Sequence, residues 1–376
     1  MKTSRLILFL ASFFIVSSLL SACSGGAGVA TSWPGFTVDP SRQVAYLSDA
    51  QYVYAVDLSN GVEKWRFPLK GDSKTGPFYA APTLTGDGQL IVGGYDKILR
   101  SLDPQTGTEI QGKQWPFTQA TDRYIGSSLV TDHTIYTPNE NKSLYALDHS
   151  GNLLWPFKTQ AALWAPPATD GKYLYLAAMD HIIYKLDPAT GKQIWATGDL
   201  GGAMIGTPAI SPNGTLYVGT FNSELLALRG QDAKVLWKAP AAGWVWASPL
   251  LVGDTLYFGD LNGTMHALDL DGKVKWSVQP DTATSHRAIV EKALVVNDTL
   301  YFSSETGALF ALDITNGNTR SGWPKQLGGK LYTGPQAAGD LILVAPMGLT
   351  SSDKSSVLMV ALDSSGAQQW TFIPAK

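Results

Sequence analysis

"LYALDHSGNLLWPF", residues 144–157, is the stretch that decides the fold. An apolar run ends on Ala146-Leu147-Asp148, the chain turns through Gly151, and it lands on Trp155. The same cadence closes on Trp65, Trp115, Trp195, Trp237, Trp276, Trp323 and Trp370. Its period of about 44 residues is that of a four-stranded propeller blade. Each copy holds four short β-rich runs; in the sixth they are "SPLLVGD", "TLYFGDL", "GTMHALD" and "KVKWSV", separated by Gly, Asp and Asn turns. No helical periodicity of useful length follows the first 23 residues. So few residues in four strands cannot bury both faces of their own sheet, so the copies must stack, and a ring leaves no raw ends. The sequence therefore predicts an all-β protein over residues 32–376, a single eight-bladed β-propeller of four-stranded antiparallel blades.

The motif residues have physical work in that fold. The aspartates (57, 103, 148, 187, 269, 313 and 363) end the third strand and can accept hydrogen bonds from the turn amides after them. A glycine a few residues on supplies the positive φ the turn requires. The eight tryptophans close the fourth strand, where a broad ring can cover the neighbouring blade. Arg229 replaces the aspartate in the fifth copy and reads as a looser turn. Residues 33–39 supply a first strand and 367–372 a last one, so each terminal blade reads as complete without sharing strands.

The amino-terminal residues read as an address. Lys2 and Arg5 precede an uncharged apolar run, Leu6 to Leu20, of 15 residues, which suits a signal peptide and is short for a membrane span. Leu20-Ser21-Ala22-Cys23 resembles the lipobox of bacterial lipoproteins. The resemblance implies that residues 1–22 are removed, that Cys23 is lipidated, and that 23–31 form a flexible tether to a bacterial membrane, on its extracytoplasmic side. Cys23 is the single cysteine, so once lipidated it leaves no thiol for a disulfide, a metal or catalysis. With 28 basic and 31 acidic residues the net charge is −3, which offers no electrostatic footprint for nucleic acid.

The repeat, of the form ALDxxTGxxxW, resembles the tryptophan-docking repeat of the pyrroloquinoline-quinone (PQQ) dehydrogenase superfamily of eight-bladed propellers. Size and lipobox are most similar to its non-enzymatic branch, the BamB-type outer-membrane assembly lipoproteins. That resemblance implies a monomer within a complex, a non-catalytic platform for another envelope protein or an extended peptide. The quinoprotein enzymes of the superfamily use a stacking tryptophan, a Glu/Asn/Asp calcium set and often two adjacent cysteines, and the cysteine pair is absent here. Asn139-Glu140-Asn141 and Glu305 occupy rim loops but read as turn chemistry, so neither PQQ nor calcium is expected. The five histidines (133, 149, 181, 266 and 286) fall at unrelated places on the repeat, and His266 reads as a packing residue. No GxSxG or HExxH motif is present. No catalytic or metal site is assigned.

One pattern goes beyond blade packing. An aromatic residue stands just ahead of the first strand in six copies, Trp33, Tyr79, Tyr124, Trp164, Trp246 and Tyr332, with Trp244 close by; Ile205 and Val290 stand in the other two. The first strand of a blade lines the central channel, so these residues are expected around one mouth of it. They would either plug the channel or hold an extended peptide, a sugar or a flat ligand. The competing functions are therefore a PQQ-dependent oxidoreductase-like protein and a small-ligand or glycan receptor. Residues 345–358, rich in serine, read as a mobile surface insertion or a lid over the same mouth.

Overall fold

The structure is a computed structural model that describes residues 33–71, 75–112 and 114–375. The proposed signal peptide, Cys23 and the tether lie outside the described residues. The described residues form strands and turns with no helix. They make eight antiparallel sheets in strict chain order, seven of four strands and one of three. Blade six shows the pattern: Leu250–Val252, Thr255–Gly259, Met265–Asp269 and Val274–Val278 pair successively as neighbours. Blade two is the three-stranded sheet. Its fourth strand is reduced to isolated bridges, Leu99 with Phe117 and Leu102 with Glu109, with Gly112 bridged to Trp115 between them.

Alternation along each strand feeds two seams at once. In Tyr52–Asp57, Tyr54 and Val56 enter the cluster shared with blade eight, and Val53 and Ala55 enter the one shared with blade two. A strand with both faces buried is continuously apolar, which is why "YVYAV" and "SLYALD" lack polar alternation. The core is accordingly eight clusters, one per seam between adjacent blades.

The cadence residues act as a clasp across each seam. The indole N–H of Trp155 donates to the Pro188 carbonyl at 3.1 Å, that of Trp237 to Leu270 at 2.9 Å, and that of Trp276 to Ile314 at 3.0 Å. In each pair the acceptor directly follows the motif aspartate, or its equivalent, of the next blade. Trp65, Trp115, Trp195 and Trp370 repeat the bond. The turn glycine does more than supply its φ of 69° at Gly107: a Cβ there would stand 2.4 Å from the Trp65 ring. Trp323 is the exception among the eight. Its ring meets Tyr301 edge-on at 5.5 Å, and the stem of Lys325 covers Gly366 in its place. The chain "SGWPKQ" pairs only through Lys325–Gln326, so its tryptophan stops short of the next blade.

No strand is shared between the termini, and side chains alone close the ring. Trp370 donates to Leu58 O at 2.8 Å, Gln336 Nε2 to Phe36 O at 2.5 Å, and the Thr333 hydroxyl to Pro34 O. Residues 345–358 are not a lid. Met347 and Lys330 exchange two backbone bonds of 2.8 Å, Thr350 bridges Ser356, and none of these residues lines the channel.

Candidate functional site

The axial channel encloses a cavity of about 750 Å³, walled by first strands and the residues before them. Which residue of each blade reaches it follows from strand register. Ala168 pairs with Tyr175, Leu250 with Tyr257 and Gln336 with Leu343, and four residues before each stand Trp164, Trp246 and Tyr332. In blade three Leu129 pairs with Tyr136, which places Ile125 at the channel.

Tyr124 is thus one residue out of step and is not part of the mouth. Parity sends its side chain to the opposite side, where it is fully buried beside Gly93. Val245 against Gly219 and Ile289 against Gly259 occupy the same place in other blades. The collar therefore holds five aromatics, Trp33, Tyr79, Trp164, Trp246 and Tyr332, with Ile125, Ile205 and Val290 between them. Trp244 stands outside it, stacked on Phe221 at 4.9 Å and 10°, and Phe221 in turn touches Trp246 at 5.8 Å.

Trp33 crosses the mouth. It belongs to blade one, yet its ring lies 5.3 Å from Tyr332, 5.7 Å from Trp246 on blade six, and 6.1 Å from Tyr79.

A second tier steadies the collar. Tyr79 stacks on Tyr95 at 4.6 Å, and Arg123, paired with Glu140, lies over the Tyr95 ring. Glu305 accepts from Lys330 at 2.8 Å and from the Tyr332 hydroxyl at 2.9 Å, with His286 at 3.3 Å. Burial raises the Glu305 carboxyl, but the Lys330 and Tyr332 donors outweigh it and leave it below its ordinary value. Both rim carboxylates thus face a protein cation, and Asn139 is bonded to the backbone of Asp122 and Arg123. These donors do not fit a calcium ion. Among the described residues no group of three or more His, Cys, Asp or Glu could hold a metal.

His266 is more than packing. Its ring stacks on Phe258 at 4.7 Å, while Nε2 lies 3.0 Å from Asp260 Oδ2 and Nδ1 lies 2.9 Å from Ser277 Oγ. The order is acid, imidazole, hydroxyl, but Asp260 also accepts the amides of Ala242, Gly243, Asn262 and Thr264. The group ties a rim loop, a connection and an outer strand together. Arg229 pairs with Asp232 at 2.8 Å, and the turn after it keeps the Gly230 carbonyl available to both Trp195 and the buried Lys185.

Sequence reasoning did not single out the outer rim. In six blades the pairing of third and fourth strands shifts register just before the tryptophan; Ala146 faces Trp155 while Leu147 faces Leu153. Leu154 is the extra residue of that bulge and is turned outward. The equivalents are Ile194 and Leu236 on the next two blades, giving exposures of 51%, 49% and 46%. Elsewhere the position holds Lys64, Gln114, Lys275, Gly322 and Gln369. The signal was legible as "LLW", "QIW" and "VLW" against "EKW" and "VKW".

A propeller whose blades are clasped by repeated tryptophans is a scaffold class that serves many functions. The profile of the family described as "Outer membrane protein assembly factor BamB" matches residues 24–162, 96–205 and 179–322, and the chain belongs to that family. It is similar to the factor of that name from Moranella endobia, 23% identical over 238 residues, 57% of this chain and 61% of that one. It is also similar to a tetrathionate hydrolase from Acidithiobacillus ferrooxidans, 26% identical over 209 residues, 55% of this chain and 36% of the relative. The chain spans about a third to three fifths of the length of the first curated BamB relatives it matches. The crystal structure of BamB from Moraxella catarrhalis superposes with a TM-score of 0.67 at 15% identity, covering 81% of this chain and 91% of that one, and shows the same fold.

Proposed function

We propose that this protein is a non-catalytic, lipid-anchored scaffold on the extracytoplasmic side of a bacterial membrane, where it takes part in outer-membrane protein assembly by docking a partner protein, without PQQ or calcium. Family membership carries the reading, since its relatives are named as assembly factors. The rim gives it a surface. Leu154, Ile194 and Leu236 stand at one repeat position on three consecutive blades, apolar where the other five are polar, charged or glycine. Exposed aliphatic side chains at this density cost solubility unless covered, which suits a protein partner with matching apolar pits. The bulge at each position twists the edge and discourages another strand from pairing there, so side chains rather than backbone make the contact.

The test is photo-crosslinking in the native host, with a photoreactive residue at Leu154, Leu236 or Trp246 and a control at Lys275 on the outer strand of blade six. A discrete adduct with an outer-membrane assembly protein is expected at 154 and 236 and not at 275. The triple variant L154K/I194K/L236K should lose that adduct while melting with the parent. Equal adducts at 275, or capture at 246 alone, would reject the rim as the docking surface.

A further inference from the structure

Blade seven breaks the collar. Position 290 is valine, and the next two positions, small residues or proline in the other seven blades, are Glu291 and Lys292. Both side chains line the axial cavity. Among the described residues neither takes part in an ion pair, and the carboxylate of Glu291 accepts only the amide of Lys292, at 3.2 Å. Both side chains are exposed to the space of the channel, deep among the eight blades. Two opposite charges therefore share one channel without meeting. Trp33, Trp246 and Tyr332 line the same cavity, and the Trp164 indole N–H is buried without a partner.

We propose that the axial channel binds a small zwitterion with a flat apolar body, of which a free aromatic α-amino acid is the simplest kind. Glu291 takes the ammonium, Lys292 the carboxylate, and the aromatic collar the body. A ligand with one charge would leave the other member of the pair without a counter-charge, and a neutral sugar would match neither. A zwitterion satisfies both together, and each interaction gains from the partial exclusion of water. The cavity lies within the roughly 300–1,000 Å³ usual for small-molecule sites. Trp33, already across the mouth, would cover the bound ring. This site is distinct from the outer rim, so its failure would leave the docking surface untouched.

The experiment is calorimetric titration of the full chain in detergent with L-phenylalanine, N-acetyl-L-phenylalanine, L-phenylalaninamide and maltose. Binding of L-phenylalanine is expected, with the N-acetyl form and the amide each at least about tenfold weaker, one missing charge being worth a tenfold factor or more. E291Q should abolish discrimination against the N-acetyl form alone, and K292M discrimination against the amide alone. Both variants should melt cooperatively, which separates loss of the site from loss of the fold. Absence of L-phenylalanine binding, blocked derivatives that bind equally well, or binding of maltose alone would overturn the proposal.

Discussion

Asp260 shows how much one side chain can hold. It is fully buried, and burial by itself would raise its carboxyl. The His266 ring and the amides of Thr264 and Asn262 outweigh that and keep it below the ordinary range. A folded pKa below the unfolded value of about 3.9 contributes stability that is present at neutral pH and lost as pH falls through the folded value. Asp260→Asn should therefore unfold at lower urea than the parent at pH 7, and the gap should narrow between about pH 5 and pH 2. A gap independent of pH would show that lost hydrogen-bond acceptance makes the whole difference and that charge contributes nothing. At the same scale, Tyr124 and Ile125 show what sequence spacing leaves open. The aromatic is the more conspicuous residue, but parity relative to the Leu129–Tyr136 pair decides which of the two meets the channel.

At the scale of the element, the cadence is a clasp and its exceptions are informative. Trp155 makes the N–H bond to Pro188 and Trp323 makes none of that kind. Trp155→Phe should cost about 0.5–1.5 kcal/mol, the net worth of one such bond, and Trp323→Phe clearly less. Urea midpoints at constant m would measure the difference. Equal costs would mean that ring area, rather than the carbonyl, makes the clasp. The strand grammar that predicts four runs per copy holds in seven blades. In blade two the fourth run makes bridges in place of a strand: Glu109 meets Leu102, Phe117 meets Leu99, and Gly112 pairs with Trp115 between them.

At the scale of the molecule, the seam between blades eight and one differs from the other seven in having no covalent connection. Its cluster joins Phe36, Leu47 and Tyr54 to Leu343, Ala361 and Trp370. Trp370→Ala should cost about 3–5 kcal/mol, as large-to-small core substitutions do. It should also raise amide exchange first in residues 33–67 and 336–372. Trp155→Ala at a connected seam should lower stability without such local opening, because the chain itself limits how far those blades part. Uniform exchange in both variants would show that the ring opens only as a whole.

The sequence by itself determined the repeat, the number of blades, the complete terminal blades and the tryptophans that cover the neighbouring blade, because all of these follow from a local pattern recurring at a fixed period. It also placed five collar aromatics at the channel, since each stands a constant distance before its strand. Tertiary structure decided the rest. Ring closure brings Trp33 against Trp246 and Tyr332 across hundreds of residues. Strand register turns Tyr124 away from the channel and into the wall beside Gly93, and the outer-strand bulge turns Leu154 out to solvent. Glu291 and Lys292 are an ordinary charged pair in the chain. Only the convergence of eight first strands on one axis brings them into a channel shared with the aromatic collar.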